Sequence, residues 1–412
     1  MQQYDYIIAG GGCAGLSLAY RLCQAGLDDK KVLLLDTQPK VRNDKTWCFW
    51  GDRPVDFKCA SKISWGEMEF CTSDGIMRES LGDLRYYYVK SLDFYQEVQE
   101  EIFAHPNVTV KYERVTSVTD EGGHAQVTTQ DGTYTGEYVF NSIVERPELK
   151  PENYFYLKQH FCGWVVRTEE ATFDPKAIRM MDFSIDQEEQ GRFVYILPFS
   201  ETEALVEFTI FSEHLLSDEA YRKELVQYMD HSLKVDAYEI VEEERGVIPM
   251  TNHPFPRYTG NRVVNLGTAG GFTKPTTGYT FKSIQEDIDN IVAALKETGK
   301  PFYRLQKSRR FSFYDDLLLF IIQNQGELLR PIFSRLFRRN RFHRILTFLE
   351  EKTTIRQELW ILLRLPWKPF LNAILQYYIK GQTRWVPGYK RQRQKVGAAL
   401  PPGKLKPARP QL

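Results

Sequence analysis

Asp5-Tyr6-Ile7-Ile8-Ala9-Gly10-Gly11-Gly12-Cys13-Ala14-Gly15-Leu16 is the stretch of this sequence that decides the fold. Its apolar start predicts a buried strand, and Gly10, Gly12 and Gly15 then follow at the G-x-G-x-x-G spacing. Small and apolar residues recur at helical intervals after it, and a second apolar run ends in Asp36, 21 residues beyond Gly15. A glycine pattern alone is weak. A strand, glycine turn, helix and acid in this order are typical of a dinucleotide-binding unit.

Each position in this unit has a physical role. Gly10 makes the tight turn, Gly12 lets the backbone approach a pyrophosphate, and Gly15 allows the helix to pack closely on the strand. The start of the helix, where Ala14 lies, offers free N–H groups and the positive end of the helix dipole to phosphates. Asp36 can accept hydrogen bonds from ribose hydroxyls. We therefore predict that these five residues bind a nucleotide cofactor.

The charge of the chain is distributed unevenly. The 412 residues include 54 basic and 54 acidic side chains, yet residues 301–412 hold 23 Lys and Arg against 6 Asp and Glu, a net charge of +17. The asymmetry predicts that the C-terminal region meets an anionic surface, either lipid head groups or nucleic acid. Nothing upstream suits nucleic acid, so we expect a lipid surface and no nucleic-acid partner.

Neither a membrane-spanning helix nor a metal site is indicated by the sequence. The longest apolar run, 317–322, is far shorter than the roughly 18 residues that a span needs. The six cysteines show neither a C-x-x-C pairing nor metal-ligand spacing. We expect free thiols, a reducing cytoplasm and a protein that lies on a membrane without crossing it.

The middle of the chain predicts strands, with a few helices. A helix is expected over 91–104, with Ser91 as its N-cap, and residues 138–142 should return the chain to the central sheet. Residues 150–250 are β-rich and hold two acids in apolar company, Asp182 and Glu207. By alternation Glu207 shares a face with Leu205 and Thr209. An outward-facing surface acid is the alternative.

A second glycine-rich turn and a helical region complete the pattern. Residues 261–279 predict a strand, a turn and then a helix over about 280–297, which again places backbone N–H groups at a helix start. Beyond 301, apolar residues mix with arginines over 311–322, 328–348 and 355–379. Such basic amphipathic helices suit a membrane interface, or they dock on the protein's own core. Residues 387–412 are expected to be a disordered tail.

Four motifs in this order resemble the lycopene cyclases, flavoproteins of carotenoid synthesis. They are the N-terminal fingerprint, the Asn43–Trp50 loop, Tyr195–Pro198 followed by Leu205–Thr209, and Lys274–Tyr279. The resemblance covers about residues 1–300. It implies an α/β fold in which an FAD-binding, doubly wound (Rossmann-like) domain is interleaved with an antiparallel β-rich substrate domain, followed by a C-terminal helical region.

The resemblance also implies an extent for each part. The FAD-binding domain would comprise 1–55, 86–150 and 258–300, and the substrate domain 56–85 and 151–257. Residues 301–386 would form the helical membrane-associating region. The implied cofactor is FAD in its reduced form, with NAD(P)H as the electron source. Further cofactor-binding residues implied in this way are Lys45, Gly267, Thr268, Ala269, Gly270, Thr276, Thr277, Gly278 and Tyr279.

The implied reaction is the cyclisation of lycopene or a related linear carotenoid to β-ionone rings, through γ-carotene to β-carotene. Carried over by position, the family's catalytic acid is Glu207, and Asp182 and Glu145 are both open as its acidic partner. Hydroxylases of this fold carry Gly-Asp where this chain has Gly267-Thr268, and Asp-Gly where it has Asn141-Ser142. These departures count against hydroxylase chemistry. An FAD-dependent monooxygenase or isoprenoid reductase, and a non-catalytic flavoprotein, are the alternatives.

Overall fold

A computed structural model describes residues 2–27, 29–144, 154–305 and 308–383. Within these ranges the chain forms strands in three sheets. In chain order the strands are β1 (Gln2–Ala9), β2 (Val32–Asp36), β3 (Thr46–Gly51), β4 (Ile63–Trp65), β5 (Glu67–Thr72), β6 (Gly75–Ser80), β7 (Arg85–Lys90), β8 (Val108–Tyr112), β9 (Val115–Asp120), β10 (Ala125–Thr129), β11 (Thr133–Asn141), β12 (Tyr156–Thr168), β13 (Ala177–Asp182), β14 (Gly191–Pro198), β15 (Glu203–Ser212), β16 (Tyr238–Thr251), β17 (Tyr258–Thr259) and β18 (Val263–Asn265).

Helices connect and cover these sheets. They are α1 (Cys13–Gln24), α2 (Ser91–Ala104), α3 (Asp218–Gln227), α4 (Phe281–Thr298), α5 (Arg309–Asn324), α6 (Leu329–Arg339), α7 (Phe342–Leu349), α8 (Ile355–Leu362) and α9 (Trp367–Ala373). Short 3₁₀ turns lie at Lys58–Ser61, Gly267–Gly270 and Gly326–Leu328, and π-helical turns lie at Tyr228–Leu233 and Ile374–Ile379.

The first sheet is the predicted doubly wound core. Strand β1 lies at its centre, parallel to β2 on one side and to β11 on the other, and β8 and β18 extend the parallel set outward. Helices α1, α2 and α4 cover one face with apolar residues. The second half of β1, from Tyr6 to Ala9, and β2 from Val32 to Leu35 are buried, as expected for a parallel sheet with covered faces. The return of the chain at 138–142 is confirmed, because Ile8 pairs with Phe140.

The second sheet is the predicted β-rich region. Its strand order is β16-β12-β15-β14-β13-β5-β6, and its neighbours are antiparallel except for β5 and β13. Strand β15 alternates as expected: Leu205 and Phe211 join the core under the C-terminal helices, and Val206 and Phe208 join the core under α3. Both faces of β15 are therefore buried. A third sheet pairs β7 with β3 and β4.

The C-terminal helices dock on the protein's own core. The apolar side chains that lie among the arginines of α6 and α7 are buried, and Phe337 stacks on Phe70 of the second sheet at 4.4 Å. Arg338 and Arg341 contact Asp74 and Glu79 of β5–β6 and the turn between them. No helix in the described ranges is long and apolar enough to cross a membrane. The predicted tail, 387–412, lies outside the described residues.

One predicted cap is wrong. The N-cap position of α2 is Lys90, and Ser91 is the first helical residue. The Ser91 hydroxyl instead accepts hydrogen bonds from the backbone N–H groups of Asp44 and Lys45, both at 3.0 Å. Tyr95 donates to the Asp44 carboxylate at 2.8 Å. Ser91 and Tyr95 of α2 therefore hold the loop before β3 in place. The sequence did not indicate this role.

Candidate functional site

A single cavity of about 680 Å³ brings together elements from both large sheets and from the C-terminal helices. The two glycine-rich turns line one part of its wall. Acidic and tyrosine side chains of the second sheet line another part. Apolar side chains of α5 to α9 line the rest. The cavity therefore combines a polar backbone wall, a group of titratable side chains and a large apolar surface.

The first glycine turn has the geometry that its spacing predicts. Gly10 has a φ of +100°, which favours glycine, and a Cβ on Gly15 would lie 1.9 Å from the Gly10 carbonyl oxygen. A Cβ on Gly12 would meet no protein atom within 4 Å, because this residue faces the cavity. No acidic side chain lies in the first turn of α1 and no side chain caps it. Its free N–H groups and positive dipole end suit an anion.

The second glycine turn faces the same cavity. Gly267 and Gly278 both have positive φ angles, +53° and +72°. Lys274 between them donates to both Asp315 carboxylate oxygens, at 2.9 and 2.8 Å, and to Glu351 at 2.8 Å. The Thr276 hydroxyl donates to Asp315 at 2.7 Å. This buried cluster ties the turn to α5 and to the chain after α7, and sequence reasoning missed it because its members are far apart in the chain.

Not every predicted cofactor-binding residue lines the cavity. Those that do are Gly12, Ala14, Lys45, Gly267, Thr268, Thr276, Thr277, Gly278 and Tyr279. The residues that do not line the cavity are Gly10, Gly15, Asp36, Ala269 and Gly270. Asp36 pairs with Lys40 at 3.1 Å, and Lys40 itself lines the cavity. A Cβ on Gly270 would lie 2.2 Å from the Asn265 carbonyl oxygen, so this glycine allows close packing of the turn.

Glu207 is buried in the cavity wall, with 1% of its surface exposed. The alternative of an outward-facing surface acid is therefore wrong. Thr209, two residues along the same face, donates to Glu207 Oε1 at 3.0 Å, and Tyr195 lies opposite on β14. Burial, and next the negative charge of Glu244, raise the pKa of the Glu207 carboxyl well above its usual range.

Glu244 is the second carboxyl at this point, and sequence reasoning missed it. It lies on β16, an edge strand whose Glu242-Glu243-Glu244 run resembles a solvated surface. Its register places it beside Gly163 of β12, and Gly163 also pairs with Glu207 on the other side. Thr46 donates to Glu244 Oε2 at 2.5 Å. Burial is the main cause that raises the pKa of Glu244. The sequence offered one signal: in a run of three consecutive glutamates on a strand, at least one must face away from the other two.

Neither acid considered as a partner of Glu207 is shown to have that role. Asp182 bonds instead to Arg179 at 3.3 Å and to the Tyr228 hydroxyl at 2.7 Å, under α3. It does not line the cavity. Glu145 lies outside the described residues. The partner that the structure places next to Glu207 is Glu244.

Tyrosine and thiol groups surround the acid pair. The Tyr86 and Tyr279 hydroxyls lie 2.9 Å apart, and the edge of Tyr279 meets Trp50 at 4.5 Å. Burial raises the pKa of the Cys48 thiol and of both tyrosines, so all three stay neutral. Such a site favours the protonated form of a carboxyl and places it beside electron-rich aromatic faces, an arrangement that suits giving a proton and stabilising a cation.

Comparison with known proteins adds a family and a fold. A family described as "Lycopene cyclase protein" matches residues 5–375. A lycopene beta-cyclase of Paracoccus sp. (strain N81106 / MBIC 01143) is 25% identical over 72% of this chain and 75% of its own length. A chloroplastic lycopene beta cyclase of Arabidopsis thaliana is 26% identical over 68% of this chain. That match covers 57% of the Arabidopsis protein, so the chain spans little more than half of it.

Solved structures share the fold at low sequence identity. Klebsiella pneumoniae HpxO, complexed with FAD and uric acid, aligns with a TM-score of 0.59 and 17% identity over 89% of this chain and 97% of that one. A flavoprotein/dehydrogenase from Cytophaga hutchinsonii aligns with a TM-score of 0.58 and 11% identity, over 88% and 99%. These likenesses identify the fold as that of flavoproteins. In this chain the two large sheets are followed by a C-terminal helical region.

Proposed function

Because the chain belongs to the lycopene cyclase family, we propose that it closes the linear ends of lycopene, or a related carotenoid, into β-ionone rings. The product would form through γ-carotene to β-carotene. The observation that carries the proposal is a carboxyl group, Glu207, buried in the wall of a large apolar cavity next to a second carboxyl, Glu244. A carboxyl in such surroundings stays protonated at neutral pH and can act as an acid.

The reaction needs a proton and a dry site. Glu207 gives its proton to the terminal double bond, and the neighbouring double bond attacks the resulting tertiary cation. Loss of a ring proton then completes the ring, so no electrons are gained or lost. The faces of Tyr86 and Tyr279, which line the cavity, stabilise the cation. Water would quench it, and the apolar side chains of the C-terminal helices exclude water from the cavity.

The same helices suit a hydrocarbon substrate. Lycopene offers nothing to hydrogen-bond, so its affinity must come from burial, at about 25 cal/mol per Å² of apolar surface. Phe333, Leu336 and Phe348 are among the side chains that α6 and α7 direct at the cavity. Leu362 and Phe370 extend this surface on α8 and α9. The apolar part of the cavity is thus the proposed carotenoid site.

FAD fits the residues of the two glycine turns. The open backbone at Gly12, the uncapped start of α1 and the second turn at Gly267 all face one cavity, which suits a nucleotide with a pyrophosphate. We propose that Gly12, Ala14, Lys45, Gly267–Thr268 and Thr276–Tyr279 contact it, and that Gly10, Gly15, Ala269 and Gly270 shape the turns. Asp36 would bind the ribose. Reduced FAD, with NAD(P)H as the electron source, would supply negative charge beside the cation.

A hydrocarbon substrate dissolves in lipid, so we propose that it enters the cavity from a membrane surface. Large apolar side chains are exposed along one side of α8, α9 and the following π-turn, and Leu363 between α8 and α9 has 79% of its surface exposed. Arg364 lies over the Trp360 ring at 4.1 Å, and Lys368 lies beside Trp367. We propose that this patch enters the lipid interface while the basic residues meet anionic head groups. This surface replaces the arginine-flanked faces of α6 and α7, which are buried.

Vesicle binding tests the membrane proposal. Leu363→Asp and Trp367→Asp should each weaken co-sedimentation with anionic phospholipid vesicles at least about tenfold, since an exposed apolar side chain contributes one to three kcal/mol on burial. Ile76→Asp is the matched control, because Ile76 is 58% exposed on β6, away from the patch. Equal binding by all four proteins would refute the patch as the lipid contact.

Expression in lycopene-producing cells tests the proposed activity. A cyclase shifts the pigment from red to orange-yellow, and chromatography should find γ-carotene and β-carotene. A monooxygenase or isoprenoid reductase of the same fold would consume NAD(P)H in proportion to substrate, whereas a cyclase needs only catalytic reductant. A non-catalytic flavoprotein would leave lycopene unchanged, and that result would refute the proposal.

A further inference from the structure

The carboxyl groups of Glu207 and Glu244 meet because the residue between them, on the intervening strand, is a glycine. Strands β16, β12 and β15 are neighbours, and Gly163 of β12 pairs with Glu244 on one side and with Glu207 on the other. A Cβ on Gly163 would lie 3.2 Å from both Cβ and Cγ of Glu207, and 3.0 Å from Leu205 Cδ1. Glycine at 163 thus leaves the space through which the two side chains reach each other.

Hydrogen bonds around the pair leave one oxygen on each carboxyl without a donor. Thr209 donates to Glu207 Oε1, and Thr46 donates to Glu244 Oε2. Glu207 Oε2 and Glu244 Oε1 are buried, and neither has a hydrogen-bond partner of good geometry among the described residues, although the Tyr195 hydroxyl lies close to Glu207. The two carboxyls are nevertheless within hydrogen-bonding reach of each other. One proton between them satisfies both oxygens, whereas two carboxylates would leave two buried acceptors facing each other.

The surroundings favour one shared proton over two charges. Lys90, whose charge acts on Glu244, bonds to Glu242 at 3.2 Å rather than to either member of the pair. Burial raises the pKa of both carboxyls, and the charge of Glu244 raises that of Glu207 further. The titratable groups that face the pair from the elements packed against it are Tyr195 of β14, Cys48 of β3, Tyr86 and Tyr88 of β7, Tyr279, Glu242 and Lys90.

We propose that Glu244 is the positioning residue that holds the catalytic proton on Glu207, so that the two side chains work as one acid with one proton. The proposal rests on the function proposed above. The O–H bond of Glu207 breaks as a C–H bond forms on the substrate, and the pair is then left as two facing carboxylates. Their repulsion makes the pair a base, which takes the ring proton and returns to its starting state.

The pH dependence of a single turnover tests this role. In Glu244→Gln the amide still accepts a hydrogen bond, but the negative charge is gone, so Glu207 loses its proton at lower pH. The variant should cyclise lycopene within about twofold of the wild type near pH 6 and at least about tenfold more slowly near pH 8, because one pH unit of proton affinity is a factor of ten. Gly163→Ala, which separates the carboxyls, should change the profile in the same direction.

Glu239→Gln is the matched control. Glu239 lies on the same strand, β16, and its exposed carboxylate pairs with Arg167 at 3.2 Å. It does not line the cavity, so its loss should leave the rate within about twofold of the wild type at both pH values. If Glu244→Gln lowers the rate by the same factor at both pH values, or not at all, the proton-holding role is wrong.

An infrared titration gives a second readout that does not depend on turnover. The wild type should show the carbonyl band of a protonated carboxyl that persists to higher pH than in folded Glu244→Gln, and the band should be missing in Glu207→Gln. A band with the same titration in wild type and Glu244→Gln would overturn the pair. A chain with the expected band but no cyclisation at any pH would refute the proposed function and leave the shared proton standing.

Discussion

Two buried carboxylates on the second sheet have opposite surroundings. Asp182 lies against the Arg179 guanidinium at 3.3 Å, accepts from the Tyr228 hydroxyl and also accepts the backbone N–H of Ser184. Glu207 forms no ion pair among the described residues; it accepts from the Thr209 hydroxyl, lies within hydrogen-bond reach of the Tyr195 hydroxyl and faces a second carboxyl. Both acids are buried to a similar degree. The two acids therefore differ in their partners rather than in their burial.

The difference follows from elementary electrostatics. A buried carboxylate persists when a cation and hydrogen-bond donors replace its water, as they do around Asp182. Without a cation the neutral form is favoured, and a like charge nearby strengthens that preference. Glu207 therefore has the property that alkene protonation requires, and Asp182 does not. Four predictions can break or sharpen this contrast.

Glu207→Gln should give the largest effect. A general acid contributes about 10²- to 10⁴-fold to a rate, so turnover of lycopene with prereduced flavin should fall at least about 100-fold. The folded structure should survive, because glutamine keeps the shape and can still bond to Thr209 and Glu244. Glu203→Gln on the same strand removes an acid that pairs with Arg167, and it should leave turnover within about twofold. Near-normal turnover of Glu207→Gln would remove the basis of the contrast.

Asp182→Asn should show the reverse pattern. It leaves the Arg179 charge with Glu69 alone, so the free energy of unfolding should fall by about 2–3 kcal/mol, below the usual cost of breaking a buried pair completely. Turnover per folded molecule should stay close to that of the wild type. Asp174→Asn, which breaks an exposed pair with Arg78, is the control and should cost less than about 1 kcal/mol. Chemical denaturation of the three proteins gives the comparison.

The pH dependence of stability should separate wild type from Glu207→Gln. Burial raises the pKa of Glu207 above that of the unfolded chain, so the folded state binds more protons. Its contribution to stability is fully present below the unfolded pKa of about 4.3, and it is lost as pH rises through the folded pKa. The stability of the wild type relative to the variant should therefore fall with rising pH, by up to about 1.4 kcal/mol per pH unit in that window. A pH-independent difference would mean that Glu207 is not a buried neutral acid.

Thr209→Val should have the smallest effect. The substitution keeps the shape of the side chain and removes the only hydroxyl that donates to Glu207 Oε1 among the described residues. A neutral hydrogen bond contributes about 1 kcal/mol, so turnover should change by less than about tenfold. Thr251→Val, which removes an equally buried bond to the Phe155 carbonyl, controls for the loss of a hydroxyl. A loss comparable to that of Glu207→Gln would mean that Thr209, rather than the carboxyl pair, governs the acid.

The sequence predicted the parts whose signal is local. The glycine turn, its strands and the face of Glu207 follow from spacing and alternation within about twenty residues, and the structure has all three. Glu244 was not predicted, because its partner is 37 positions away and its neighbours Glu242 and Glu243 mimic a solvated edge. The arginines of α6 and α7 allowed two interpretations. Only the packing of Phe337 on Phe70 decides between them, and no local pattern encodes that contact.

Cyclisation in D₂O tests the central claim most directly. If an exchangeable carboxyl proton starts ring closure, wild type that is pre-equilibrated in D₂O should place one deuterium in the first ring that it closes, as measured by mass spectrometry of γ-carotene, and Glu207→Gln should form almost no product. Rings without deuterium, or a product reduced by two hydrogens, would contradict the account, because the hydrogen would then not come from an acid in the cavity.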